Sequence, residues 1–179
     1  MVAVSFSKHS GDVPRTNAPG CPTTESCYPY SSRGLGVDFF FDSTADDQTL
    51  DHGLWIGQDI GYAKVDGDQL PYGITSVGYA WSFNFHPLHY FLGLGYGVSY
   101  ATLDSKRYAL QDSTNDGPAL ITGIEYSPFP LSHLVGLGMM FTFKASPYLP
   151  SVYDKDQITN RRYYEPSISS TFGIVFRLK

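Results

Sequence analysis

The sequence predicts an all-β protein, an eight-stranded antiparallel up-and-down transmembrane β-barrel that forms a single domain over residues 1–179. Three observations predict this fold. Large apolar side chains alternate with small or polar ones along extended segments. Charged residues make up 16% of the chain, below the roughly 25% of ordinary soluble domains, yet the mean hydropathy is -0.18. Long and short connections also follow one another in a regular order.

Eight segments carry the strand pattern, because successive side chains of a strand point to opposite faces. We place the strands at residues 2–8, 34–43, 53–65, 70–86, 89–103, 117–128, 133–145 and 166–178. In the second and third strands the alternation is noisy. The second sets Leu35, Val37, Phe39 and Phe41 against Gly36, Asp38, Phe40 and Asp42, and the third sets Leu54, Ile56 and Ile60 against Gly57, Asp59 and Gly61.

The later strands show the alternation more cleanly. The fourth has Val77, Tyr79, Trp81, Phe83 and Phe85 on one face. The fifth has Tyr90, Leu92, Leu94, Tyr96, Val98 and Tyr100. The sixth has Leu120, Ile124 and Tyr126, the seventh Val135, Leu137, Met139, Phe141 and Phe143, and the eighth Ile168, Phe172, Ile174, Phe176 and Leu178. Their opposite faces are mostly Gly, Ala, Ser and Thr.

The connections differ in length in a way that favours a membrane barrel. Residues 9–33, 104–116 and 146–165 are long connections, whereas residues 86–88 and 129–132 are tight turns. Barrels of bacterial outer membranes have short periplasmic turns and longer extracellular loops. The sequence therefore predicts periplasmic termini and three long extracellular loops.

The less apolar face decides between a membrane barrel and the alternative, a soluble β-sandwich or lipocalin-like barrel. Small residues suit the lumen of an eight-stranded barrel, which is just wide enough for side chains. A soluble barrel would carry charges on its exterior, whereas this chain reserves most of its charges for the connections. No apolar run reaches the roughly 18–20 residues of a transmembrane helix. We expect aromatic girdles at the two interfaces, formed by Tyr72, Trp81, Phe83, Phe85, Tyr90, Tyr100 and Tyr126.

A few charges fall on the face predicted to line the lumen. They are Asp38, Asp42, Asp59, Glu125, Lys144 and Arg177. The predicted topology places Asp42, Glu125 and Arg177 toward the periplasmic end, and Asp38 and Lys144 toward the outside. Because charges in a narrow low-dielectric interior need partners, we expect a plug of salt bridges. A narrow ion path through the same residues is the alternative.

Two long loops have features of their own. Cys21 and Cys27 lie in a Pro- and Thr-rich segment and predict a disulfide that pins the 9–33 loop as a cap, the alternative being two free thiols. In the last long loop, Arg161, Arg162, Tyr163 and Tyr164 suit the binding of lipopolysaccharide phosphates or of a protein partner. An ordinary solvated loop accounts for them equally well.

The C-terminal segment Thr171-Phe172-Gly173-Ile174-Val175-Phe176-Arg177-Leu178 resembles the signal by which outer-membrane barrels are recognised by their insertion machinery. Its constrained positions include Gly173, Phe176 and Leu178, and the chain departs from the usual pattern in ending with Lys179. The whole chain resembles the small barrel class that includes OmpA-type, OmpX/Ail-type and OmpW-type proteins. The resemblance implies a location in the bacterial outer membrane, with outer-membrane lipid, lipopolysaccharide and the insertion machinery as partners.

Small outer-membrane barrels also include lipid A deacylases and palmitoyltransferases. A lipid A-modifying enzyme is therefore one alternative function, and the narrow channel is the other. A deacylase of this kind needs a Ser-His pair with a carboxylate. Of the five histidines, His86, His89 and His133 flank predicted turns, where we expect interfacial residues rather than bases. We therefore expect a non-enzymatic barrel for envelope integrity or surface interaction, without cofactor or metal.

The start of the chain and its charge complete the expectations. Residues 1–6 lack the basic start and apolar stretch of a signal peptide, so we expect the mature form of an exported protein. The net charge of -5 argues against a nucleic-acid partner.

Overall fold

The structure, a computed structural model, describes residues 2–9, 27–29, 31–42, 49–65, 68–106, 108–110, 113–130, 135–145, 152–154, 162–164 and 168–178. Twelve strands lie in these ranges. They are β1 (Val2–His9), β2 (Cys27–Pro29), β3 (Ser31–Asp42), β4 (Leu50–Val65), β5 (Asp68–Phe85), β6 (Leu88–Ala101), β7 (Tyr108–Leu110), β8 (Thr114–Pro130), β9 (Val135–Ala145), β10 (Val152–Asp154), β11 (Arg162–Tyr164) and β12 (Ile168–Leu178).

Eight of the strands form a closed barrel in the order β1-β12-β9-β8-β6-β5-β4-β3. The first and last strands of the chain complete the cylinder, because Val4 is in register with Ile174 of β12 on one side and with Val37 of β3 on the other. All neighbouring pairs are antiparallel. A closed antiparallel sheet has no free edge, as a lipid environment requires. The predicted fold class is confirmed.

The strands match the eight predicted segments in order and differ at their ends. β3 begins at Ser31 rather than at residue 34, and β4 begins at Leu50 rather than at residue 53. The added residues pair in the ladder although they lack a clear alternation. β8 extends to Pro130, and its register with β9 shifts between Tyr126 and Phe129. Pro128 falls within this shift, in keeping with the placement of proline at strand irregularities, since it has no N–H to donate.

The two ends of the barrel differ. At the short-turn end, β5 and β6 are joined by His86-Pro87, which form a cis peptide, and β8 and β9 are joined across residues 131–134. At the long-loop end lie the connections 10–30, 102–113 and 146–167, together with the two-residue connection between β4 and β5. As predicted, three of the four connections at the long-loop end are long. At the short-turn end, residues 43–49 between β3 and β4 form a connection of intermediate length.

The outer wall of the barrel is apolar. Large hydrophobic side chains point outward on every barrel strand whose side chains the structure describes, among them Leu94, Tyr96 and Phe141, which are 51%, 56% and 44% exposed. Tyr90, Tyr100 and Tyr126 are also outward, as the girdle prediction expects. Tyr72 is a correction to that prediction. It is 4% exposed and points into the lumen, because it shares the inward parity of Ser76 and lies over Gly61, where an added Cβ would come within 2.7 Å of the Tyr72 hydroxyl.

A second, smaller sheet lies among the long loops. It has the strand order β2-β11-β10-β7, so it draws strands from all three long connections. β11 pairs parallel with β2, and the other pairs are antiparallel. Among the described residues there is no helix with the length and apolar character needed to cross a membrane.

Candidate functional site

The lumen is built in layers that follow one another along the barrel axis. Strand β4 passes through all of them, because Asp51, Trp55, Asp59 and Ala63 point inward and are 7%, 1%, 4% and 0% exposed. Residues four apart on a strand are separated by about 13 Å. From the short-turn end upward, these residues belong to a polar layer, a lower apolar layer, a charged layer and an upper apolar layer.

The charged layer is an ion-paired cluster of Lys144 with two carboxylates. Lys144 Nζ lies 2.7 Å from Asp38 Oδ2 and 3.2 Å from Asp59 Oδ1. The indole N–H of Trp55 donates to Asp38 Oδ1 over 3.1 Å. All three charged side chains are almost fully buried. A buried charge needs both a counter-ion and hydrogen bonds. In this cluster the ammonium group and the carboxylates are counter-ions of each other, and Trp55 adds a hydrogen bond to Asp38.

The cluster spans the barrel. Lys144 is on β9, whereas Asp38 and Asp59 are on β3 and β4, and two strands separate β9 from β3 around the cylinder. The ammonium group therefore reaches across the lumen to the opposite wall. Beside it, the hydroxyls of Thr142 and Thr171 bond to each other across β9 and β12. The two Lys144 contacts connect strands that have no backbone pairing with one another, whereas the threonine contact joins two paired strands.

The lower apolar layer fills the lumen below the ion pairs. Phe40 and Phe91 meet edge to face with ring centroids 5.3 Å apart. The layer consists of Phe40, Trp55, Ala80, Phe91, Ala119, Ile121, Met140 and Val175. Gly123 makes room for the ring of Phe91, because a Cβ at this position would lie 2.7 Å from Phe91 Cζ. Packed apolar side chains thus occupy the barrel cross-section at this level.

The polar layer at the short-turn end contains a hydrogen-bonded chain. Asn84 Nδ2 donates to Asp51 Oδ2 over 2.6 Å, so Asn84 presents its oxygen to Ser82 and to His89 Nδ1 at 3.1 and 2.8 Å. An amide oxygen only accepts, and His89 Nδ1 therefore donates this bond. The chain fixes the orientation of the His89 ring.

His89 corrects the interpretation of this residue as an interfacial turn histidine. It is 9% exposed and points into the lumen, because position 89 already has the inward parity of Phe91. Glu125 of β8 is in register with His89 and is fully buried. Two neighbouring residues in register on one face have Cβ atoms about 4.5–5.5 Å apart, which places Glu125 in the polar layer.

The six predicted lumen charges therefore separate into groups. Asp38, Asp59 and Lys144 form the charged layer, and Glu125 lies nearer the short-turn end. The side chains of Asp42 and Arg177 lie outside the described residues, although their backbones belong to β3 and β12.

The upper apolar layer lies at the long-loop end of the lumen, on the neighbouring strands β4, β5 and β6. It consists of Ala63, Leu70, Tyr72, Ile74 and Ala101, against which Leu103 and Leu110 pack. Leu110 belongs to β7, an edge strand of the second sheet. The second sheet is thereby attached to the barrel interior by an apolar contact.

On the outer wall, polar side chains bond to tyrosine hydroxyls. His52 bonds to Tyr79, Asp116 accepts from Tyr96, and Thr122 donates to Tyr90. Gln58 bonds to Thr75 over 2.6 Å and to Tyr100 over 3.4 Å. An unpaired polar group costs several kcal/mol in hydrocarbon, of the order of 2–7. These pairs make the outer wall compatible with lipid despite its polar side chains.

The remaining predicted site residues fall where side chains are not described. Arg162, Tyr163 and Tyr164 form β11, and Cys27 begins β2, whereas Arg161 and Cys21 lie outside the described residues. In β12, Gly173 is buried and in register with Met140, and the backbone of Phe176 and Leu178 pairs with β9. The disulfide, the loop-binding role and the insertion signal stay predictions. Within the described ranges no cluster of three His, Cys, Asp or Glu side chains is arranged to hold a metal ion.

Sequence reasoning missed Trp55, Asn84 and His89. The parity of each strand could have found them, because Trp55 shares the face of Asp59, and Asn84 shares the face of Ser76. A search for charged residues does not select the neutral donors and acceptors that complete the charged layer and the polar layer.

No family model matches the chain, and a comparison with curated proteins finds no match. Among solved structures, Neisserial surface protein A superposes with a TM-score of 0.53 and 13% identity over 99% of this chain and 94% of that one. The outer membrane enzyme PagL superposes with a TM-score of 0.49 and 9% identity over 100% and 99% of the two chains. The likeness to Neisserial surface protein A concerns the fold, and with the closed antiparallel sheet it leads to one conclusion: the chain has the fold of the small outer-membrane β-barrels.

Proposed function

We propose that the chain is a non-enzymatic, non-conducting β-barrel of the bacterial outer membrane that supports envelope integrity or contacts partners through its long-loop end. The observation that carries the proposal is the filled lumen. Two apolar layers lie on either side of the buried Lys144 cluster. A barrel with such an interior offers its wall and its loops, rather than a pore, for function.

Location is tested by membrane fractionation and by electrophoresis. The protein should enter the outer-membrane fraction, and samples should migrate differently with and without heating, because a closed barrel resists unfolding in detergent. A monomer that stays in aqueous solution without detergent would contradict the proposed location.

Conductance in planar bilayers tests the closed lumen. We expect no discrete steps from the wild-type protein, whereas the narrow-channel alternative predicts unitary steps. Recordings from a porin of known conductance in the same bilayers show that insertion events are detectable. Reproducible steps from the purified chain would overturn the non-conducting part of the proposal.

The absence of catalysis is proposed because the two strand histidines whose side chains the structure describes are already engaged. His52 bonds to Tyr79 on the outer wall, and His89 bonds to Asn84 in the lumen. The test is incubation of the refolded barrel with purified lipid A followed by mass spectrometry. Unchanged acyl chains are expected, and loss or gain of an acyl chain would establish the lipid A-modifying alternative.

The long-loop end is proposed as the surface for partners, including lipopolysaccharide or a protein at Arg161, Arg162, Tyr163 and Tyr164. In support, β2, β7, β10 and β11 join three loops into one sheet, which would present those residues on an ordered framework.

Dye uptake by cells that lack the chain tests the envelope role. Complementation with the wild type should lower uptake, and a variant with residues 161–164 changed to Ser should restore it less well. Equal uptake in all three strains would contradict the role.

A further inference from the structure

One part of the outer wall departs from its apolar character. At the long-loop end of β3 and β4, Arg33, Tyr62 and Lys64 all point outward and are exposed, with Tyr62 at 42%. Arg33 is in register with Tyr62, and Lys64 lies two residues beyond Tyr62 on the same face. We call these three residues the rim cluster.

The register places the two cations of the rim cluster within reach of one ligand. Diagonal neighbours on one face of an antiparallel pair are about 7–8 Å apart at their Cα atoms, and Arg33 and Lys64 stand in this relation. Both side chains are long enough to converge on an anion between them. Gln69, exposed and in register with Lys64 on β5, adds an amide beside it.

The rim cluster has no acidic partner within the described part of the chain, where the salt bridges are those of Lys144. The outward acid Asp116 lies on β8, elsewhere on the wall, and bonds to Tyr96. Two like charges side by side repel each other unless an anion neutralises them. In a chain of net charge -5, a basic cluster on the wall is a local feature rather than a consequence of composition.

Directly below the rim cluster the wall becomes aliphatic. Leu35 and Ile60 are in register with each other and form the next outward pair below Arg33 and Tyr62. They are 44% and 53% exposed. From the rim downward the wall therefore presents Lys64, then Arg33 beside the ring of Tyr62, then aliphatic surface. This order matches an amphiphile that has a phosphate at its head and acyl chains beneath.

We propose that the rim cluster binds the phosphate-bearing head group of an acylated lipid in the outer leaflet. Arg33 forks the phosphate and Lys64 adds a point charge. Tyr62 contacts the junction between head group and chains, and Leu35 and Ile60 contact the chains. The inference rests on the proposed membrane location and concerns a site separate from the loop residues 161–164.

The test uses the full chain refolded in a zwitterionic detergent, with bisphosphorylated lipid A as the probe and native mass spectrometry as the readout. We expect the double variant Arg33→Gln/Lys64→Gln to lose about tenfold or more in affinity, because each charge-assisted bond is worth more than a neutral one. Lys106→Gln is the matched control, since Lys106 is an exposed lysine of the connection between β6 and β8 and is not part of the rim cluster, and it should bind as the wild type does.

The other arms identify the source of the phosphate and separate this proposal from the membrane location. Binding of dephosphorylated lipid A to the wild type should be as weak as binding of lipid A to the double variant. Millimolar inorganic phosphate should not displace lipid A from the wild type. Equal affinity of wild type and double variant, displacement by free phosphate, or an equal loss in Lys106→Gln would each overturn the proposal. Heat-modifiability, measured on the same samples, reports barrel formation independently of lipid binding.

Discussion

Lys144 shows how one residue determines whether charges can occupy the barrel interior. Its ammonium group is the cation that pairs with both Asp38 and Asp59, and it lies 2.7 Å from Asp38. Without it, two buried carboxylates would face each other in a low-dielectric medium. The cost of removing one partner of a buried ion pair is about 3–5 kcal/mol.

We therefore expect Lys144→Met to lower the free energy of unfolding by about 3–5 kcal/mol, measured by urea titration in lipid vesicles with tryptophan fluorescence. Lys106→Met, at an exposed loop position, should change it little. Adding Asp38→Asn and Asp59→Asn to Lys144→Met should recover part of the loss. A Lys144→Met barrel as stable as the wild type would mean that the ion pairs contribute nothing.

Glycines on the lumen face make a second prediction at this scale. A Cβ at Gly123 would lie 2.5 Å from the carbonyl oxygen of Phe141 and 2.7 Å from Phe91 Cζ, whereas a Cβ at Gly117 would meet nothing within 4 Å. Gly123→Ala should destabilise the barrel by about 1–3 kcal/mol through overpacking. Gly117→Ala should be close to neutral in the same urea titration. Similar effects at both positions would show that space in the lumen is not what selects glycine.

At the scale of elements, β6 shows what alternation could and could not predict. The alternation predicts opposite walls for Leu94 and Gly95, and the structure confirms that Leu94 is on the outer wall. Register is strongly specified in such a strand, because a one-residue slip would exchange the two walls completely. The topology predicts that Asp38 and Lys144 lie toward the same end of the lumen. Their contact at 2.7 Å could not be predicted, because it depends on the stagger between strands that are far apart in the chain. The three-residue strands of the second sheet have too few residues to show any period.

The outward face of β6 carries a prediction about depth in the membrane. Leu94→Arg, at a position 51% exposed in the middle of the strand, should cost about 2–4 kcal/mol in a bilayer. Gln69→Arg, outward near the rim, should cost about 0–1 kcal/mol. Both are measured by reversible unfolding in phospholipid vesicles. A cost at Leu94 no larger than at Gln69 would mean that this wall does not meet hydrocarbon.

For the whole molecule, the layers of the lumen act in series. Phe40 and Phe91 fill one level, while the Lys144 cluster and the upper apolar layer occupy others. We expect Phe40→Ala/Phe91→Ala to stay closed in planar bilayers although it loses stability, because the Lys144 cluster still spans the lumen above the lower apolar layer. Conductance steps from this double variant would show that the lower apolar layer alone blocks the lumen.

The small sheet at the long-loop end has a consequence for protein engineering. Its strands come from three segments distant in the chain, so those segments are suited to grafting as a matched set rather than singly. The hairpin joining β4 to β5 contributes no strand to that sheet. A foreign epitope displayed on cells is therefore best inserted there, where it leaves the shared framework intact.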